Sequence, residues 1–311
     1  MRGEHNRQTG KQAGPQLYAD VTAKIVAELE AGRVPWVQPW DEAKAGLGLP
    51  RNAATGNAYS GINILILWSA VIERGFAAQN WLTFRQALSL GGHVRKGEKG
   101  VALVYADRFT PKAERERAAA EGEEARSVPF LKRFTVFNVA QCDGLPGELL
   151  APPAILPECE TVPAAEALIA ATGAAFHVGG AMALYVPSLD RIEVPPQTAF
   201  HEPVNYYRTC FHELGHWTGH PSRLARDLSG RFGSRAYAAE ELVAEMASAF
   251  VCAALGIVPT VRHADYIASW LDLLRDDERA IFRAASLASK AADFLLAFRA
   301  EGTETGAGRA A

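Results

Sequence analysis

The pentad His212-Glu213-Leu214-Gly215-His216 constrains this chain more than any other stretch. Two histidines four apart stack on one face of an α-helix, so their ring nitrogens can meet at a single ion. Glu213 is rotated roughly 100° around that helix and can face a water on the ion instead of the ion itself. The flanks suit a buried helix. Cys210, Phe211 and Leu214 supply apolar contacts, Gly215 removes a side chain near the ion, and Gly219 followed by Pro221 stops the helix. The bland alternative is a surface helix carrying the pattern by chance, which leaves the third-ligand candidates unexplained.

A working metal site needs a third protein ligand. A third histidine six residues beyond His216 is ruled out, because that position is Ser222. His220 lies just past a glycine and reads as a helix cap or as a residue behind the ligands. The stronger candidates stand in Ala239–Ala249, where Glu241 and Glu245 are one helical turn apart among Ala, Leu, Val and Met. Solvated glutamates rarely keep such company. Glu241 is expected as ligand and Glu245 as the carboxylate that orients a ligating imidazole; Glu240 stays open as a rival ligand. Two imidazoles and one carboxylate suit zinc, with Mn2+ or another divalent metal as the alternative, and leave a position for water. Glu213 is then the catalytic base. Tyr206, Tyr207, Tyr237 and His263 are candidate oxyanion donors with no spacing argument to separate them. A hairpin over Met182–Val194 offers an edge strand for an extended peptide, or is a plain structural hairpin.

A chain of 311 residues has room for two domains. The boundary falls at Asp143–Pro163, whose five prolines and two glycines read as a linker without helix or strand. The expected division is 1–145, a linker at 146–163, and 164–300, with a disordered arm before Gly14 and a frayed tail after 300. Before the linker the patterns predict helices over Leu17–Ala31, Ile62–Arg74 and Thr83–Leu90, with strands over Val101–Tyr105 and Phe130–Asn138. Lys112–Arg126 is a charged insertion, read as a solvated helix or loop. After the linker come a helix at Ala164–Thr172, three short strands within 174–194, helices at Val204–Gly219 and Arg235–Leu255, and one or two more over Ala264–Phe298. The fold class is α+β: a mixed α/β first domain and a mainly helical second domain with a small β-sheet.

Several classes drop out. No apolar run approaches the roughly 18–20 residues of a membrane span, and Met1–Gly14 lacks an apolar secretory segment. Cys142, Cys159, Cys210 and Cys252 form no C-x-x-C pair, which suits free thiols and a cytoplasmic location without membrane contact. Residues 1–150 hold 19 Lys+Arg against 16 Asp+Glu, and the remainder 13 against 19. The first half is therefore mildly basic. It also carries Trp36, Trp40, Trp68, Trp81, Tyr59 and Phe84, which could stack on bases, and a loop at Gly91–Gly100 with Arg95, Lys96 and Lys99 for phosphates. By pattern alone, core tryptophans and a solvated hairpin are the better reading.

A resemblance adds to this. Pro39-Trp40, Asn52, Thr55-Gly56, Tyr59, Gly61, Asn63, the run Trp81-Leu82-Thr83-Phe84, Gln86, Gly91-Gly92 and Val94–Gly100 resemble the N-terminal domain of ArdC-type antirestriction proteins. His212–Leu224, followed by Ala239–Ala247, resembles the zincin-like metallopeptidase domain paired with it. The resemblance spans nearly the whole chain. It implies a first domain that binds single-stranded DNA, with Trp40, Tyr59, Trp81, Arg95, Lys96 and Lys99 as candidate contacts. It also implies a second domain of metallopeptidase type, and carriage on plasmids or phages whose entering DNA is protected from host restriction. A restriction-system protein of the host is then a candidate peptide substrate. The alternative is a DNA-binding protective protein whose metal is structural. A magnesium nuclease is disfavoured, since such sites are carboxylate-rich.

Overall fold

In the computed structural model, residues 13–37, 47–122, 124–125, 128–151, 158–258 and 266–306 are described. Helix α1 (Ala13–Glu30) buries Ile25 and Leu29, one turn apart, and exposes Lys24. Strand β1 (Arg51–Asn52) precedes α2 (Ile62–Arg74), which stops at Gly75 in the left-handed region, φ 66°. There follow β2 (Asn80–Leu82), α3 (Phe84–Ser89), β3 (His93–Val94), β4 (Val101–Phe109), α4 (Lys112–Glu121), β5 (Val128–Asn138), β6 (Cys142–Asp143) and α5 (Gly147–Leu150). The second half runs α6 (Glu158–Ala171), β7 (Ala175–Val178), β8 (Leu184–Val186), β9 (Arg191–Val194), α7 (Pro203–Trp217), α8 (Arg235–Leu255), α9 (Ile267–Asp276) and α10 (Ala280–Gly306). This is the α+β architecture the patterns predict. The charged insertion forms α4, between two long paired strands.

The sheets are ordered β1-β2-β5-β4, β3-β6 and β7-β9-β8. In the last, β7 runs parallel to β9 and β8 antiparallel to it, so among the described residues β8 is paired along one edge and free along the other. The expected linker is partly regular structure: α6 begins at Glu158 and contains Pro163. A proline one turn inside a helix removes a single backbone hydrogen bond there, which an otherwise good helix can carry.

The two halves share one apolar core. Trp36 packs edge-on against Trp270 at 5.5 Å, and Trp68 against Phe250 at 5.6 Å between ring centroids. Such pairs add about 0.5–1.5 kcal/mol each beyond the area they bury. The Gly61 amide donates to Ser289 Oγ at 2.7 Å, and Thr22 Oγ1 donates to the Glu278 carbonyl at 2.7 Å. A second, smaller core of Ala78, Leu82, Ala87, Val139, Cys142 and Leu145 lies under β2, α3 and β6. The chain thus has a large body holding both halves and a lobe built from residues of the first.

Candidate functional site

Helices α7 and α8 pack side by side, and their contact depends on Gly215. A β-carbon there would stand 3.2 Å from Ala244 Cα. The glycine therefore serves helix approach, where the sequence suggested room for an ion. Across this contact the sequence-predicted side chains converge. His212 Nε2 and His216 Nε2 are 3.2 Å apart. Glu241 reaches from α8 with Oε2 at 3.4 Å from the first and Oε1 at 3.5 Å from the second. Ligands at zinc's usual 2.0–2.1 Å in a tetrahedron are separated by about 3.3 Å. The donor set and its spacing therefore fit a cation of that size.

A carboxylate also stands on the far side of each ring. Glu240 Oε1 lies 3.2 Å from His216 Nδ1, and Glu245 Oε1 lies 3.7 Å from His212 Nδ1. Glu240 and Glu245 thus lie toward the Nδ1 sides, while Glu241 faces the two Nε2 atoms. A carboxylate behind an imidazole fixes its tautomer and raises its basicity. Glu240 is itself gripped by Arg226, whose Nε donates at 3.0 Å and Nη2 at 2.7 Å. The same guanidinium donates to Thr218 Oγ1 at 2.7 Å and to the Gly215 carbonyl at 2.6 Å. Ala225, at φ 49°, turns the chain just before it. Gly219 makes room, since a β-carbon there would come within 3.1 Å of Arg226 Nη2. Sequence reasoning missed Arg226, because nothing local marks a loop arginine as buried.

Charge follows from this geometry. Burial alone would raise the Glu240 and Glu241 carboxyls, yet their partners hold both below the ordinary range: His216 and Arg226 for Glu240, His212 and His216 for Glu241. Burial would lower His216, but Glu240, Glu241 and Glu213 push it up to about 10. The pocket is thus rich in carboxylate, and the Arg226 guanidinium stands behind it as a permanent positive charge.

Glu213 is 4% exposed and lines a cavity of about 360 Å3 with His212, His216 and Glu241. Of the four oxyanion candidates, Tyr237 lines this cavity, its hydroxyl 3.1 Å from that of Tyr266. Burial, then Tyr266 and Glu241, push its phenol up, so it stays a donor. Tyr207 instead donates to Glu166 at 2.6 Å; Tyr206 does not line the cavity. His263 lies outside the described residues. Edge strand β8 forms one wall through Leu184 and Tyr185, with Ala183 beside it. Arg223 holds that wall: it stacks on Trp217 at 3.9 Å, donates to the Trp217 carbonyl at 2.6 Å and forks onto Asp190 and Tyr185. His220 stands apart from the cavity. Its Nδ1 is paired with Ser222 Oγ at 2.7 Å and it does not line the cavity, because the turn after Gly219 carries it past the end of α7.

The candidate DNA contacts divide. Trp81 is fully buried against Phe76 and cannot stack on a base, since β2 carries it into the core. Tyr59 is half-buried and its hydroxyl accepts from Asn52 at 3.4 Å. Arg95 is committed to Glu98, Asp143 and the Ala140 carbonyl. Lys96 and Lys99 are exposed. Trp40 lies outside the described residues. No described helix is long and apolar enough to cross a membrane.

Comparison with known proteins finds two family matches along the chain. Residues 15–137 match the N-terminal domain of anti-restriction factor ArdC, and residues 163–287 match a zincin-like metallopeptidase domain. The chain is 43% identical over 292 residues to protein y4eC of Sinorhizobium fredii, covering 91% of this chain and 92% of that one. It is 40% identical over 300 residues to the DNA primase TraC of Escherichia coli, but spans 27% of TraC's length. The antirestriction ArdC protein of plasmid R388 has been solved metal-free and with Mn(II). These structures are 42% and 40% identical to this chain and superpose with TM-scores of 0.76 and 0.74, covering 92% and 91% of this chain and 98% of each of theirs.

Proposed function

The chain belongs to the ArdC antirestriction family, and from that premise we propose that it binds single-stranded DNA through its first domain and hydrolyses peptide bonds at a metal held by its second. The observation that carries the catalytic part is the meeting of His212 Nε2, His216 Nε2 and one Glu241 carboxylate within 4.8 Å of one another, in the cavity that Glu213 lines. Zinc is the proposed native ion, because two imidazoles and a carboxylate at near-tetrahedral spacing suit it. The R388 protein has been solved with Mn(II) bound, so manganese is the alternative ion.

A divalent ion bound there supplies Lewis acidity, which makes water nucleophilic at neutral pH and polarises a carbonyl. The chain's own groups do the rest. Glu213 accepts the proton of the attacking water and returns it to the departing amine. Tyr237 donates a hydrogen bond to the developing oxyanion. The free edge of β8 pairs with an extended peptide and aligns its carbonyl over the cavity. Glu240 and Glu245 keep both imidazoles oriented with Nε2 toward the ion. A protein of the host restriction system is the proposed substrate class, and entering single-stranded DNA the ligand that places the enzyme.

Replacing Glu213 with alanine tests this. The variant should keep its metal and its DNA affinity while losing protection of incoming DNA. Full protection by a metal-loaded variant would assign the site a structural role and exclude hydrolysis as the mechanism.

A further inference from the structure

The family-like stretch from Trp81 to Gly100 separates, in three dimensions, into residues that build the lobe and residues that face water. The builders are readily identified. Trp81 and Leu82 are fully buried. Thr83 and Gln86 form a reciprocal cap at the start of α3, and Gln86 exchanges hydrogen bonds with Asn52 at 3.2 and 3.3 Å. Gly92 and Gly100 are required for space, since β-carbons there would meet Leu145 at 2.6 Å and Thr135 at 2.3 Å. Arg95 ties the loop to β6 and to the Ala140 carbonyl.

What remains points outward. Phe84 is 51% exposed and Leu88, one turn on, is 52% exposed, with Arg85 between them also exposed. An aromatic and a leucine held in water on a six-residue helix contribute nothing to either core. The polar scaffold of Thr83, Gln86 and Asn52 nevertheless fixes where they stand. The same stretch of chain, from Gly75 to Tyr105, carries Arg85, Arg95, Lys96 and Lys99 against Glu98; Arg95 is paired with Glu98 and with Asp143 of β6, which leaves Arg85, Lys96 and Lys99, all exposed, to meet a ligand. An exposed ring with exposed cations in the same stretch of chain matches the needs of unpaired bases on a phosphate backbone.

We propose that Phe84 is the base-stacking platform of the single-strand DNA surface, with Leu88 extending it and Arg85, Lys96 and Lys99 meeting phosphates. Phe84 takes the role that Trp81 cannot fill from the core. The proposal rests on the DNA-binding reading above and adds the residue that contacts the bases.

Binding of fluorescein-labelled oligothymidylate, titrated at several salt concentrations with the full chain, tests it. Phe84→Ala should weaken binding about tenfold, in the range found for one lost base stack, and leave the salt slope unchanged because no charge is removed. Phe84→Trp should bind like the wild type, with its fluorescence quenched by the strand, whereas Phe84→Leu should resemble alanine. On an abasic strand with the same number of phosphates, wild type and Phe84→Ala should bind alike. Wild-type affinity in Phe84→Ala or Phe84→Leu would overturn the proposal, as would equal weakening on normal and abasic strands. A wild-type protein that binds no strand even at low salt would instead defeat the underlying DNA-binding reading, and the platform with it.

Discussion

Replacing Arg226 with methionine should weaken metal binding more than it weakens the metal-free fold. Without a cation, Glu240 has two positive neighbours, the guanidinium at 2.7 Å and the protonated His216 ring at 3.2 Å. A cation on Nε2 requires that ring to be neutral, so Arg226 becomes the main positive partner of a carboxylate that is 12% exposed. In Arg226→Met the metal-bound state holds a buried anion against a neutral imidazole, while the metal-free state keeps its ion pair. Loss of a partner behind a ligand costs roughly 10- to 100-fold in metal affinity, or about 1.4–2.7 kcal/mol. The metal-free protein should lose less than the about 3–5 kcal/mol that follows from leaving a buried charge wholly unpaired. Competition against a chromophoric chelator measures the affinity, and thermal unfolding of the metal-free variant measures the fold. Arg226→Met combined with Glu240→Gln should recover much of the affinity, because glutamine can accept from Nδ1 without a buried charge. Wild-type metal affinity in the folded single variant would refute the reasoning.

Two further outcomes follow from the same structure. Replacing Lys96 and Lys99 together with glutamine should flatten the salt dependence of single-strand binding by about 1.4 in slope, since each neutralised phosphate contributes about 0.7; an unaltered slope in salt titrations would remove that loop from the interface. The clamp on the edge strand should show in pH-dependent stability: Arg223 holds the Asp190 carboxyl at about 2 against an ordinary 3.8. A depressed carboxyl stabilises the fold above the unfolded value and loses that contribution as pH falls towards 2. Asp190 is 39% exposed, so screening leaves about 1 kcal/mol at neutral pH. Asp190→Asn, which tolerates the left-handed backbone there, should melt below the wild type at pH 7 and converge with it near pH 2. A constant gap across that range would contradict the assignment.

The legible parts of this protein are those governed by helix periodicity. His212 and His216 share a face at any position on a helix, and Glu241 and Glu245 betrayed themselves by apolar neighbours. Ile62–Arg74 and Arg235–Leu255 were likewise readable from their apolar pattern and their terminal glycines. What stayed hidden was long-range or too short to have a period. Strand β2 has three residues, so alternation could not tell that Trp81 turns inward while Phe84, just beyond it, turns out. Arg226 sits in an irregular turn and is buried by Glu240, fourteen positions away. The prolines near 163 read as a break because a proline's cost inside a helix depends on the strength of the residues that follow.

The central claim is that His212, His216 and Glu241 hold one divalent cation. Metal content of the purified chain, measured by plasma mass spectrometry for wild type, His216→Ala, Glu241→Ala and Glu240→Ala, tests it most directly. The wild type should carry one ion, the first two variants essentially none, and Glu240→Ala a weakened but measurable share. A full complement in Glu241→Ala would contradict the account.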